Sequence, residues 1–487
     1  MNAKNTNQSP LTANIEEQVI KDFYLQVLDL LHYEPNHEQV EAFAAFAHFL
    51  FHGSDRSVFL LNGYAGTGKT SLMGAIVKAL TIKGKKVVLL APTGRAAQVF
   101  SAYSQRNAFT IHRKIYRQDS YLSTGFGLAE NKHTDTLFIV DEASMIANNS
   151  NEGSIFGTGR LLDDLVHYVY SGHRCKLVLM GDDAQLPPVG QMQSPALQVD
   201  VMKSFALDPY CVHLKLIARQ AADSGILVNA TILRNIASSN NLVVPSLKLE
   251  QYHDIEAING EFLLETISDC YDRDGIDQTI IITRSNKRAS LFNNGVRNTI
   301  LYREELLSSG DMLIVAKNNY YWTKDFDRLD FIANGDLMRV KRVWGDIESA
   351  YGLRFANVTV ELPDHDNIEL DVKIIIDSLM SDTPALTLSQ SQQLYSQVLD
   401  ECTGDKRERY RQMKEHQYFN ALQVKFAYAV TCHKSQGGQW KNVFIDMGSI
   451  MPDALSSLDF MRWLYTAITR ATSKVFLINC PLKSDLG

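Results

Sequence analysis

SVFLLNGYAGTGKT, residues 57–70, decides the fold. A short apolar run, SVFLLN, feeds a glycine-rich turn that ends in Lys69 and Thr70. Such a run, without polar alternation, suits a strand of a parallel sheet covered on both faces. Gly63, Gly66 and Gly68 let the backbone curl so that its N–H groups face phosphate oxygens, with Ala65, Thr67 and Ser71 completing the cradle. Lys69 is placed to reach the β/γ-phosphates and Thr70 to ligate Mg²⁺. Residues from Lys69 to about Lys83 read as a helix whose N-terminal dipole favours the same anion. Three further runs, KVVLLAP (86–92), TLFIVDE (136–142) and KLVLMGD (176–182), alternate with helical or loop stretches. The pattern predicts an α/β core with its ligand at the carboxyl ends of parallel strands.

Asp141-Glu142 closes the run LFIVDE. There Asp141 would hold Mg²⁺ through water, and Glu142 would orient or deprotonate an attacking water. An acidic pair in that position also suits a helix cap or turn. Gln185, in GDDAQLPPVG (181–190), either senses a γ-phosphate or is a loop glutamine before a Pro-Pro turn. Gln39 lies three residues after Asn36, which caps a helix over 36–50 with Val40, Phe43, Ala47 and Leu50 on one face. It either reads an adenine edge or closes a capping box.

Arg470 lies near the other end of the chain, on a second set of strand-like runs: TIIITR (279–284), KFAYAVT (425–431), KNVFID (441–446) and KVFLIN (474–479). If Lys69 and Arg470 reach one nucleotide, ATP sits between two cores and its hydrolysis moves them against each other. Arg470 and Arg219 are the candidate fingers, whose loss typically costs about 10³–10⁵ in hydrolysis rate. By composition alone, Arg470 also suits a helix C-terminal charge and Arg219 a surface residue.

At 487 residues the chain is too long for one ordinary domain. Residues 1–11 read as a disordered tail, 12–210 as the first core, and 211–304 with 423–487 as the second. Between them, DMLIVAKNNYYW, ANGDLMRVKRVWG, RFANVTVEL and IELDVKIII read as antiparallel strands of an insertion over 305–422, with a helical pair at 384–418 broken near Gly404. Composition is that of a globular protein, 45% hydrophobic and 21% charged, with no run long enough for a membrane helix. Six scattered cysteines without a CxxC pair argue against a zinc site or disulfide framework, so a reducing cytoplasm is expected. A net charge of −7 argues against nucleic acid as a whole-chain property, yet a groove is lined locally, and basic residues cluster at 113–117 and 284–288.

Read together, the segments resemble the superfamily-one helicases of the 5′-to-3′ branch, the RecD-like and Dda-like enzymes. The resemblance rests on eight blocks in family order: GYAGTGKT, LAPTGRAAQ, TIHRKI, IVDEAS, GDDAQLPPVG, LIARQ, VTCHKSQGGQW and YTAITRA. It implies two tandem RecA-like P-loop cores with parallel sheets, a small wedge hairpin in the first and an SH3-like β-barrel insertion in the second. It implies ATP and Mg²⁺ as cofactors, with Lys69, Glu142, Gln185, Arg219 and Arg470 catalytic. Gln39, Asp141 and Gly438 join the 63–71 loop in holding nucleotide, while Gln439 stands where relatives often carry an acidic residue. Pro92, Thr93, Arg95, Thr110 and His112 are expected to grip single-stranded DNA from the first core, and Thr431, His433, Lys434, Ser435 and Gln436 from the second. The hairpin falls at 116–135, with Tyr121 and Phe126 as candidates to meet a duplex fork.

The implied activity is ATP-dependent DNA unwinding, 5′ to 3′, by a monomer acting on single-stranded and forked DNA, with single-strand-binding or recombination proteins as further partners. RNA also fits a grip made of phosphate contacts and stacking. Two alternatives are a non-unwinding translocase subunit and a nucleotide-gated DNA-binding scaffold.

Overall fold

The computed structural model describes residues 10–118, 126–149, 156–217, 223–239 and 241–482, apart from 325, 327, 328, 330 and 449, with side chains from residue 18. The first core runs β1 (Ser57–Gly63), β2 (Lys86–Ala91), β3 (Ala108–Thr110), a hairpin of β4 (Tyr116–Gln118) and β5 (Phe126–Leu128), then β6 (Thr136–Val140), β7 (Lys176–Gly181) and β8 (Asp208–Leu214). Outside the hairpin these strands are parallel, in the order β3-β2-β6-β7-β1-β8.

β1 is buried along its whole length, and its side chains alternate between two cores. Phe59 and Leu61 pack under the helices Lys69–Ile82 and His37–His52, while Val58 and Leu60 face Leu162, Leu165 and Val169 of the helix Leu161–Ser171. Each such side chain, fully withdrawn from water, contributes about 1.5–3 kcal/mol. Helix His37–His52 buries Ala42, Phe43, Phe46, Ala47 and Phe49, whereas Val40 is 37% exposed, so the apolar face is turned from the one expected.

The first core does not stop at residue 210. β8 pairs with β1 from Ser57↔Asp208 to Gly63↔Leu214, because the edge of β1 would otherwise leave a row of unpaired N–H and C=O groups.

The second core opens with β9 (Ile255–Ile258) and β10 (Thr279–Thr283). The insertion follows as β11 (Met312–Val315), β12 (Leu337–Ala350), β13 (Leu353–Leu362), β14 (Ile368–Ile375) and β15 (Val424–Phe426). The core resumes with β16 (Ala429–Thr431), β17 (Trp440–Asp446) and β18 (Ala471–Ile478). Its sheet is parallel, ordered β16-β10-β17-β18-β9. The insertion is antiparallel, ordered β14-β13-β12-β11-β15. Leu422, just ahead of β15, bonds back to Lys373 and Ile375 on β14, which curls the sheet so that its two edges meet.

The run KFAYAVT is therefore not one strand. Lys425-Phe426 belongs to the insertion and Ala429–Thr431 to the parallel core, so the insertion extends past residue 422. Helices Leu388–Glu401 and Lys406–Glu415, separated at Gly404 (φ 104°), set Leu394, Val398 and Met413 against Leu353 and Phe355 of β13. Among the described residues no helix is long and apolar enough to cross a membrane.

Candidate functional site

The carboxyl ends of β1, β6 and β7 lie side by side and open into a cavity of about 1170 Å³ between the two cores. Lys69 stands at the start of its helix, where its ammonium donates to the carbonyls of Gly63 and Tyr64. Gly66 and Gly68 take φ of 76° and 82°, the left-handed region that glycine adopts without strain. At Gly68 a Cβ would also lie 2.7 Å from Gln39 Nε2.

Gln39 closes the expected capping box and makes a second bond that the sequence did not suggest. Its Oε1 accepts from the Asn36 N–H, closing the capping box, and its Nε2 donates to the Thr67 carbonyl of the phosphate loop at 2.9 Å. The side chain thus fastens the loop to the helix ahead of β1.

Thr70 Oγ1 lies 3.2 Å from Asp141 Oδ2. Burial, and next the charge of Glu142, raise the Asp141 carboxyl to about 7. A partly buried oxygen pair of this kind suits a hard cation, which would remove that penalty. Glu142 adopts φ 51°, a strained backbone for a non-glycine residue. Gln185 is 5% exposed, and its Oε1 has no hydrogen-bond partner among the described residues.

Arg470 reaches this cavity from the second core. It is 4% exposed, and its Nη1 lies 3.8 Å from Glu142 Oε1. Its Nε donates to the Thr466 carbonyl at 3.1 Å and Nη2 to Thr469 Oγ1 at 3.3 Å, so the guanidinium is held before any substrate arrives. Arg219 lies outside the described residues.

Other ties between the cores carry no signature in the sequence. The Leu186 N–H donates to Thr466 Oγ1 at 2.9 Å, and Gln436 Nε2 to the Leu186 carbonyl at 2.7 Å. Tyr465, inside the apolar helix Leu458–Ile468, places its hydroxyl against the phosphate loop. Gln436, expected on the DNA grip, spends its amide N–H on this tie, and the other groups look like ordinary core or cap residues until the other core is present.

A second cavity, about 220 Å³, joins the first core, the second core and the insertion. Thr93, Arg95, His433, Lys434 and Gln436 line it, with Asn334 and Gly335 of the insertion. Arg95 crosses to the second core, its guanidinium 4.0 Å from the centre of the Trp440 ring and its Nη2 2.6 Å from the Gln439 carbonyl. Gly437 (φ 75°) lets that loop approach Thr93, since a Cβ there would lie 2.9 Å from Thr93 Oγ1.

Several expected positions differ. Gly438 lines this second cavity rather than the nucleotide cavity, and a Cβ there would strike Trp440 at 2.4 Å. Ser435 is fully buried and donates to the Cys432 carbonyl, because its short helix turns that face inward. The Thr110 hydroxyl is taken up capping Ile111–Ile115. Pro92 and Thr431 lie beside the second cavity without lining it.

Phe126 begins β5 opposite Gln118, the described pair nearest the turn, with its ring 4.3 Å from Tyr320 of the insertion and 5.2 Å from Phe156. Tyr121 falls outside the described residues. His112 meets Phe156 edge-on, ring centres 4.9 Å apart, and burial lowers it to about 4, so the ring is a neutral aromatic surface.

An AAA-domain model matches residues 34–238, and a UvrD-like helicase C-terminal domain model matches residues 426–478. The chain is 22% identical to an uncharacterized protein of Acanthamoeba polyphaga mimivirus, covering 87% of this chain and 95% of that one. It is 34% identical to the ATP-dependent RecD2 DNA helicase of Deinococcus radiodurans over 27% of this chain and 16% of that protein. Identity to the ATP-dependent DNA helicase dda of Enterobacteria phage T4 is 24%, over 53% of this chain and 56% of that protein. The chain thus spans only part of those two helicases. Among solved structures, the Pif1 helicase from Bacteroides in complex with ADP-AlF3 and ssDNA aligns over 92% of this chain and 93% of its own, at 15% identity and a TM-score of 0.47.

Proposed function

We propose, for a chain that belongs to the superfamily-one helicases of the RecD- and Dda-like branch, that it is an ATP-driven DNA helicase moving 5′ to 3′ along one strand. The observation that carries this reading is the approach of Arg470, on the second core, to Glu142, on the first, inside the cavity that holds Lys69.

The 63–70 curl takes the triphosphate, and Lys69 exchanges the Gly63 and Tyr64 carbonyls for β/γ-oxygens. Thr70 and Asp141 would hold Mg²⁺, which when bound offsets negative charge on those oxygens. Glu142 orients the attacking water and accepts its proton, and the free Gln185 Oε1 offers that water a second acceptor. Arg470 leaves Glu142 for the γ-phosphoryl and offsets the charge that grows on it. ATP then bridges the cores, and loss of the γ-phosphate removes the bridge.

Thr93, Arg95, His433 and Lys434 face the same cavity from opposite cores, so opening and closing the cleft changes the grip on a strand. Backbone contacts and stacking supply that grip without reading sequence. Single-stranded and forked DNA are the proposed partners.

The test is unwinding of duplexes carrying a 5′ or a 3′ tail, made in DNA and in RNA. Opening of the 5′-tailed DNA supports the reading. Strand-stimulated ATP turnover without opening would make the chain a translocase subunit, and turnover indifferent to any strand would leave a nucleotide-gated scaffold.

A further inference from the structure

Three contacts from the second core converge on the tip of the phosphate loop, Tyr64-Ala65-Gly66. The Ala65 N–H donates to the Tyr465 hydroxyl at 2.9 Å, and that hydroxyl lies 2.6 Å from Asp182 Oδ2. A phenol has one proton, and Asp182 offers only acceptors, so the proton goes to Asp182 and the lone pair to Ala65. The Arg234 guanidinium lies 4.2 Å from the centre of the Tyr64 ring. Leu227, on the same helix Gly225–Ala237 as Arg234, approaches so closely that a Cβ on Gly66 would sit 2.9 Å from its Cδ2.

That helix packs on Leu458–Ile468, which carries Tyr465, so the two elements hold the tip as one unit. Its own start is fixed by Asp254, which accepts from Ser224 Oγ and the Gly225 and Ile226 N–H groups. On the first core, Asp182 also accepts from the Ala184 N–H at 3.0 Å, next to Gln185. One line of hydrogen bonds therefore joins the phosphate loop, the second core and the loop carrying Gln185.

We propose that Tyr465 and Arg234 are positioning residues that couple the interface between the cores to the phosphate loop, so that strand binding sets ATP turnover through them. The inference rests on reading the chain as a strand-stimulated ATPase. Any slide of the second core moves the Tyr465 hydroxyl, and with it both the Ala65 N–H and the Asp182 carboxylate. Tyr465 is 1% exposed, so water does not replace either bond when the hydroxyl leaves.

The test measures ATP turnover with and without oligodeoxythymidylate for the wild type, Tyr465→Phe and Arg234→Met. The KM for ATP and the oligonucleotide affinity by fluorescence anisotropy are read alongside. Losing a hydrogen bond to a charged group predicts that Tyr465→Phe lowers the ratio of stimulated to unstimulated turnover about tenfold or more. Losing the cation–ring contact predicts a fall of about threefold for Arg234→Met. KM and oligonucleotide affinity stay within about threefold of wild type, since neither side chain holds substrate in this arrangement.

An unchanged ratio in both variants, with the wild type stimulated, overturns the coupling role and leaves the helicase reading intact. A parallel change in KM and kcat at constant ratio also overturns it, marking mere support of the loop. A wild type that no strand stimulates sinks the helicase reading itself. Should Tyr465→Phe fail to fold, Arg234→Met, on a half-buried side chain, decides alone.

Discussion

Replacing Arg470 by alanine removes the one guanidinium that the described residues of the second core place beside Glu142. Its worth follows from the geometry. Two unit charges 3.8 Å apart, the separation of Arg470 Nη1 and Glu142 Oε1, interact by about 4 kcal/mol at the effective dielectric of about 20 that suits protein sites. If the γ-phosphoryl takes Glu142's place at a similar distance, charge developing there loses a comparable amount. A loss of about 4 kcal/mol is about a thousandfold in rate, the lower end of the range for arginine fingers. Nucleotide binding should change far less, because Lys69, Thr70 and the loop N–H groups remain. The assay is steady-state ATP turnover at saturating oligodeoxythymidylate, paired with equilibrium binding of a fluorescent ATP analogue. Arg470→Lys keeps a charge but not the fork that also holds Thr466 and Thr469, so it should fall between the two. Turnover of Arg470→Ala within about tenfold of wild type would refute a site shared by the cores.

Phe126→Ala should reduce fork opening more than ATP turnover, because its ring anchors the hairpin to Tyr320 rather than touching nucleotide; equal losses in the two assays would count against this. Gly437→Ala forces a left-handed φ of 75° on an L-residue and pushes a methyl against Thr93. With about 1–2 kcal/mol of backbone strain, single-strand affinity should drop about tenfold, and anisotropy giving the wild-type value would exclude the close approach. Burial lowers His112 to about 4, below its unfolded value of about 6.5. The unfolded chain therefore binds the proton first, and stability present above pH 6.5 is lost as pH falls towards 4, by about 1–3 kcal/mol. Melting curves across that interval should be flatter for His112→Phe than for the wild type, and identical slopes would mean the imidazole is not held neutral.

The phosphate loop and the acidic pair were readable because their chemistry is local. Curl, lysine and threonine lie within eight residues, and the apolar runs on either side mark buried parallel strands whichever helices cover them. The same local logic misplaced KFAYAVT, since an apolar run signals burial but not which sheet receives it, and Tyr428 is buried where the insertion meets the core. It ended the first core too early, because pairing of β8 with β1 joins segments far apart in sequence. Resemblance supplied positions but not the direction of side chains. Ser435, Thr110 and Gly438 stand in the right blocks, yet they point inward, cap a helix or line the other cavity.

From its letters alone the chain declared two α/β units, an antiparallel insertion within the second and a phosphate-binding loop, because each depends on the spacing of neighbours along the backbone. Whether Arg470 meets Glu142, whether Tyr465 and Arg234 seat the loop, and how Arg95 and Lys434 come to share one groove were decided only by docking one core on the other. Those contacts join residues far apart along the chain, and a buried tyrosine or a half-buried arginine carries no mark of its partner until the two surfaces are packed together.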